Sequence, residues 1–392
     1  MMLARIVMLF AGQLARQDTL RAAREVEFRL DPVLAFDRNS LADAPPDMTP
    51  SLVVLGPNLE AFVLDAKGSR ILAFARSGQL LWVSGRSGRG PGEFVAPATL
   101  AYSAEGLWVG DIAERRVQLF SPKGRLVSEH SMLSSTAAGG IPSPPAVVLA
   151  DRTGLVEPIK ELSNFHPSSY LVRIDLEGRV VNQLAKLPLK GMLLRYDFPT
   201  ADLQAFAVQP FAFFDRVGLT SAYGGRAYIV EQTDPPRGAR RWWFRVVGIG
   251  SGGDTAYSLR KEYRPLPLEE SRFESDIAER VSGLLAVGRP AMGSRPDPAA
   301  VVRRSVVRPR TLPPVTKVVA AQDGRVYLRR EDPGTNEVRW TILNGTGELV
   351  GWFRAPTDLE VGGAKGDTVL AISTGKDGNR TVRQYLLRRL SR

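Results

Sequence analysis

Three acidic residues in the sequence fall at a fixed interval. Asp65, Asp111 and Glu157 are each 46 residues apart, and each closes an apolar stretch such as Phe62-Val63-Leu64 or Leu107-Trp108-Val109. Glu231 and Arg329 follow comparable stretches further on, after Ala227-Tyr228-Ile229-Val230 and Val326-Tyr327-Leu328. A fold built on a repeating unit brings such positions to equivalent places, so these five residues predict a ring around one face. A ring of carboxylates can hold a divalent cation through oxygen ligands, or a cationic group. Arg329 places a positive charge in the same ring, which argues against a metal. The competing reading is that each acid braces its own turn, with Asp65 pairing Arg70 and Asp111 pairing Arg116.

The run Gly85-Arg86-Ser87-Gly88-Arg89-Gly90-Pro91-Gly92-Glu93-Phe94 has the glycine density of a phosphate-cradling loop. No Gly-Lys-Ser/Thr follows it and no helical pattern opens after it, as that chemistry requires. The glycines instead predict a crossing between two units, where positive φ and close backbone approach are needed, with Phe94 as a plug. There are 2 histidines, His130 and His166, in different units and without partners at metal-ligand spacing. The absence of cysteine excludes disulfides, thiolate metal sites and cysteine nucleophiles. No G-x-S-x-G elbow is present. Trp82, Trp108, Trp242, Trp243, Trp340 and Trp352 offer stacking surfaces for a sugar or base. Most of them fall in strand patterns, where aromatic residues pack. No catalytic residue is assigned.

These residues must be positioned by a repeating sheet. Asp65, Arg70, Phe74 and Gly78 recur as Asp111, Arg116, Phe120 and Gly124, again 46 residues on. The first unit reads as strands near 52–55, 61–65, 71–74 and 80–84. The second has them near 98–102, 107–111, 117–120 and 125–130. Turn residues such as Gly56-Pro57-Asn58 and Pro122-Lys123-Gly124 separate them. A period in this range with several strands per unit marks a repeat architecture.

Weaker copies follow over 145–187, 213–259, 315–354 and 357–390. The last offers only three strand signals, while an alternating stretch at 24–30 stands alone before the first unit. Supplying the missing outer strand from the N-terminus closes the ring and protects its edges. The expected fold is all-β, a six-bladed β-propeller over 24–390, closed by an N-terminal strand, with one helical insertion. No cofactor is expected, and a Ca²⁺ in the central channel is not favoured. Two insertions break the period, at 190–209 and 267–310. In the second, Phe273, Ile277, Val281 and Leu284 share one face of a helix predicted over 267–288. A Pro- and Arg-rich loop follows it.

The joining run and its flanks resemble the NHL-repeat pattern. The matching residues are Gly88, Gly90, Pro91, Gly92, Glu93, Phe94, Pro97, Gly106, Val109, Asp111, Arg116, Val117 and Phe120. The likeness is specific over 85–124, fair over 57–84 and weak elsewhere. The tail, with Trp340 to Leu349, also resembles bacterial envelope six-bladed propellers of unassigned function. The resemblance implies the fold and little about function, because propellers host binding, scaffolding and several chemistries.

Lys and Arg number 52 against 41 Asp and Glu, giving a net charge of +11 and a pI of about 10.1. Arginine is dispersed, with one dense cluster at Arg388, Arg389 and Arg392. A nucleic-acid footprint calls for a patch with interleaved aromatics, so a nucleic-acid partner is not expected. Residues 1–15 resemble a short secretory signal, with Arg5, an apolar centre and a small-residue exit at Ala15. This implies a secreted or periplasmic location, a cytoplasmic one being the alternative. No apolar run is long enough for a transmembrane helix. The expectation is a monomeric, non-enzymatic binding or scaffold protein that recognises a protein, peptide or glycan through one face and its insertions. A metal-dependent lactonase or lyase-type propeller and an RNA-binding NHL-like module are the alternatives.

Overall fold

The computed structural model describes residues 26–36, 44–132, 140–141, 147–148, 152–156, 159–160, 168–188, 196–199, 204–207, 219–223, 226–232, 235–250, 255–287, 308, 310–332, 335 and 337–390. Strand β1 is Glu27–Phe36. The first full sheet runs β2 (Leu52–Leu55), β3 (Ala61–Asp65), β4 (Arg70–Phe74), β5 (Leu80–Ser84) in antiparallel order. The second repeats it with β6 (Pro97–Ser103), β7 (Gly106–Asp111), β8 (Arg116–Phe120) and β9 (Leu126–Ser131). A two-stranded pair, β10 (Gly140–Ile141) with β13 (Ile159–Lys160), flanks the third sheet. That sheet is β11 (Val147–Val148), β12 (Gly154–Val156), β14 (Ser168–Ile174) and β15 (Val180–Pro188). The first insertion, a cluster of Leu, Phe and Pro in the sequence, contains a hairpin of β16 (Tyr196–Pro199) and β17 (Gln204–Ala207).

The fourth sheet is β18 (Leu219–Tyr223), β19 (Arg226–Gln232), β20 (Trp242–Ile249) and β21 (Thr255–Tyr263). The second insertion is helix α1 (Glu270–Val287), preceded by β22 (Leu266–Pro267), which pairs with β23 (Thr311–Leu312). The helix starts later than expected because Pro267 is held in that pairing and Leu268 N–H donates to the Arg310 carbonyl. Phe273 and Ile277 are buried as their spacing predicts. The remaining strands are β24 (Lys317–Ala320), β25 (Val326–Glu331), β26 (Glu337–Leu343), β27 (Leu349–Pro356), β28 (Leu359–Lys365), β29 (Thr368–Thr374) and β30 (Arg380–Arg389). They join β1 in one eight-stranded sheet of order β24-β25-β26-β27-β1-β30-β29-β28.

The period of two in each strand sends alternate residues to different neighbours. Phe62 and Leu64 pack with Phe94, Leu107, Val109 and Phe120 of the second sheet. Ala61 and Val63, on the opposite face of β3, pack with Leu370, Ile372 and Val382 of β29 and β30. The same holds further round: Tyr228 and Val230 meet Val318 and Leu328, and Trp340 and Ile342 meet Val361 and Val369. Each such Leu, Val or Phe contributes about 1.5–3 kcal/mol on burial. The first strands touch in succession: β2 with β6, β6 with β11, β11 with β18, β18 with β24, β24 with β28, and β28 with β2. Sheets stacked face to face in this way form a β-propeller.

The N-terminal strand lies further along the chain than the sequence suggests, at 27–36 instead of 24–30. Pro32 hid its second half, because proline cannot donate to a ladder; the register shifts between Pro32 and Leu34, which absorbs it. β1 pairs antiparallel with β30 along most of its length and parallel with β27 at Glu27 and Phe28. Trp352 N–H donates to the Val26 carbonyl at 2.9 Å. Gly351 makes that approach possible, since a Cβ there would collide with the Val26 carbonyl and the Phe28 ring. Gly351→Val is expected to lower unfolding free energy by about 1–3 kcal/mol, as overpacking does. Urea denaturation monitored by tryptophan fluorescence checks this; an unchanged midpoint would show that β1 does not need the contact.

Candidate functional site

The second strand of a sheet places each ring residue at the same end. Asp65 follows the Leu52–Leu64 pair, Asp111 pairs with Pro97, Glu231 follows the Leu219–Val230 pair, and Arg329 pairs with Lys317. All four therefore stand where the first strand of their sheet begins. Glu157 lies outside the described residues, as do His166, residues 1–15 and most of the loop after α1.

Each of the four described residues of the ring is engaged within its own neighbourhood. The buried Asp65 carboxylate accepts from Gly68 N–H and Arg70 Nε, both at 2.9 Å, so it braces its own turn. Arg70 also reaches Asp47 at 2.8 Å. Asp111 departs from the expected pairing with Arg116. Its carboxylate accepts from the backbone N–H groups of Val95, Ala96, Ala113 and Glu114, at 2.7–3.2 Å. It fastens the incoming crossing to the outgoing turn, a task for which Asp is long enough and the Arg116 head is not needed. Glu231 pairs with Arg245 across β19 and β20. Arg329 donates to Thr316 Oγ1 at 2.8 Å, Glu331 at 3.3 Å and the Thr357 carbonyl at 3.3 Å. Among the described residues no group of three or more His, Cys, Asp or Glu side chains is placed to hold a metal ion.

Three glycine amides of the crossing are engaged within the crossing or by the neighbouring β8. Gly88 N–H donates to the Phe94 carbonyl at 3.2 Å, Gly90 N–H to Glu93 Oε2 at 2.8 Å, and Gly92 N–H to Gln118 Oε1 at 2.7 Å. None of these three points to a phosphate. Gly85 takes φ +93° and lies under the Phe94 ring, which is fully buried between the first two sheets. Arg116, almost wholly buried, donates to the carbonyls of Arg89, Gly90 and Glu93 and to Glu129 Oε2. It is the staple of the crossing.

The other sequence candidates divide. His130 Nε2 lies 3.1 Å from Ser128 Oγ, and its ring is tilted against buried Trp108. Trp82 donates to the Pro122 carbonyl and Trp108 to Ser103 Oγ. Trp242 and Trp243 stack on each other at 4.1 Å, and Trp243 remains exposed.

Two features escaped the sequence. A cavity of about 330 Å³ opens between the first strands β2, β6, β24 and β28. Lys317 and Glu360 pair near its mouth at 3.3 Å. Burial raises the Glu360 pKa, but the charges of Lys317, Arg380 and Arg329 outweigh it and hold the carboxyl below its ordinary range. The only sequence signal was an acid between Leu359 and Val361 in an otherwise apolar strand. A larger cleft, about 860 Å³, lies at the same end beside β1, the 45–49 connector and the start of β30, with Arg29, Arg354, Arg380 and Arg383 among its lining.

No family model and no curated protein matches the chain. Solved structures do. A candidate exported protein from Bacteroides fragilis is similar at 12% identity and a TM-score of 0.46, over 95% of this chain and 98% of that one. A DUF4221 family member from Bacteroides vulgatus is similar at 9% identity and a TM-score of 0.49, over 93% and 99%. Virginiamycin B lyase from Staphylococcus aureus is similar at 12% identity and a TM-score of 0.37, over 92% and 99%. At these identities and TM-scores nothing about activity passes to this chain.

Arg116→Met is expected to cost about 2 kcal/mol or more, because it removes the hydrogen bonds that a nearly buried guanidinium makes to three part-buried carbonyls and to Glu129. Arg86→Gln removes only an exposed pair with Glu93 and is expected to stay within about 1 kcal/mol of the parent; equal losses by urea denaturation would refute the staple. Lys317→Ala is expected to raise the Glu360 pKa toward its ordinary value. With the folded pKa depressed, the pair's contribution to stability is present above the unfolded pKa and lost as pH falls through the folded one. A side-chain carboxyl NMR titration reads the shift, and an unmoved Glu360 would remove Lys317 from its cause.

Proposed function

We propose that the chain, from 24 to 390, is one six-bladed propeller closed by its N-terminal strand. It works as a monomeric, non-enzymatic binding or scaffold protein that recognises a protein, peptide or glycan. Support for six blades and closure comes from the succession of first-strand contacts returning from β28 to β2, and from β1 lying against β30. The observation that carries the binding reading is how the polar groups of one face are spent. The Asp65 and Asp111 carboxylates and the crossing amides serve the fold, while the cleft beside β1 on that face is unfilled among the described residues and carries several arginines. An interface of this kind works by shape and charge on a rigid frame.

Secretion or a periplasmic location completes this reading, supported by the signal-like pattern at 1–15. No helix among the described residues is long and apolar enough to cross a membrane.

Tagged protein recovered from its native cells is expected to bring down a stoichiometric partner, and Arg380→Glu with Arg383→Glu is expected to lose it. Retention by that variant would move the site off this cleft. The melting temperature is expected to be the same with Ca²⁺ and with EDTA. A Ca²⁺-dependent rise would favour a lactonase or lyase chemistry instead.

A further inference from the structure

The outer rim of the fourth sheet carries a group of exposed arginines that outnumber their acidic partners among the described residues. By register Trp243 faces Glu262 and Arg245 faces Arg260, so these four share one face of the β20–β21 ladder. Arg240, Arg241 and Arg264 flank it, and all the arginines named are exposed. The described acids that answer them are few: Glu231 pairs with Arg245, and Glu262 reaches Arg241 at 3.3 Å. β21 is the outermost strand of its sheet and nine residues long. Beyond Arg260 its edge has no strand neighbour among the described residues.

Trp243 decides what this surface suits. One face of its indole is stacked on Trp242 at 4.1 Å. The other lies under the Arg260 guanidinium, whose carbon is 3.5 Å from the ring centroid. Neither face is open to a base or a sugar, so the stacking that single-stranded nucleic acid needs is not offered. Among the described residues no other exposed large apolar side chain lies on this sheet; the rest, such as Leu81, Val127 and Val181, belong to other sheets. A membrane surface would thus find charge without an apolar anchor. What the stack does is restrain an exposed planar guanidinium, a group whose fork of N–H donors can meet a carboxylate in a bidentate fashion.

We propose that β21 and the arginines around Trp243 form a docking edge for an acidic, extended peptide segment of a partner protein. The segment would pair with the free edge of β21, and its carboxylates would meet Arg240, Arg260 and Arg264. This rests on the binding reading above, adds a second contact for the same partner apart from the cleft beside β1, and names the partner's chemistry.

The test uses the full chain and a fluorescein-labelled peptide of alternating Glu and Thr, with anisotropy read at low and physiological salt. Binding is expected to weaken by about tenfold or more in Arg240→Glu with Arg260→Glu, as loss of close charge pairs does. Lys123→Gln with Arg125→Gln, on the second sheet, is expected to leave it unchanged. Hydrogen exchange is expected to slow at β21 when the peptide is present. Equal weakening in both variants would mean diffuse attraction to a basic protein and would overturn the site. So would tighter, variant-sensitive binding of a single-stranded RNA or of phosphatidylserine vesicles. Should the Arg240→Glu, Arg260→Glu chain still recover its native partner, the binding function would stand and this edge would be excluded from it.

Discussion

A four-stranded sheet that is apolar on both faces cannot stand alone in water. That constraint governs the rest of this structure. β3 sends Phe62 and Leu64 one way and Ala61 and Val63 the other, so each sheet needs a neighbour on both sides. A linear stack satisfies this everywhere except at its ends. The described sheets meet that need in turn, and β28 also touches β2. Features that resemble active-site devices follow from the same need. The glycine crossing must carry the backbone over the lip of one sheet, and Asp111 and Arg116 must hold it there.

Much of this was legible in the residues. The first two units repeat strongly enough that their strands fall within a residue or two of expectation, because turn glycines and alternating apolar positions agree with one another. The helix was legible from Phe273 and Ile277, though its start was not, since Pro267 has a pairing role that only Thr311 reveals. Legibility failed where a residue's partner is remote in sequence. Nothing local to Pro32 shows that it sits at a register shift against β30. The bracing of Asp65 by Arg70 could be anticipated from a five-residue separation. The binding of Asp111 to Val95 and Ala96 could not, because the register that brings them together is set by the crossing.

For function the lesson is sharper. Periodicity pointed to the ring from Asp65 to Arg329, and periodicity is what a structural role also produces. The sites that distinguish this chain break the period: the cleft beside β1, the Lys317–Glu360 pair, and the Arg260–Trp243 stack. Each depends on contacts between strands or sheets, which composition does not record.

The seat of β1 has a consequence for how the molecule comes into being. Phe28 pairs with Arg389, so one of the first residues of the fold made by a ribosome waits for one of the last. Until then β1 has a full ladder edge and no lasting partner, and the core that Phe36 enters beside Phe74 lacks Leu370, Ile372 and Val382. Long-range closure of this kind is slow. A chain built this way has reason to be kept from premature collapse, by a chaperone or by translocation, until its tail arrives. The same pairing sets the start of β1 beside the end of β30, so a linker between those two points, with the chain cut at a distant turn, would let the strand that now waits be made together with the partner it waits for.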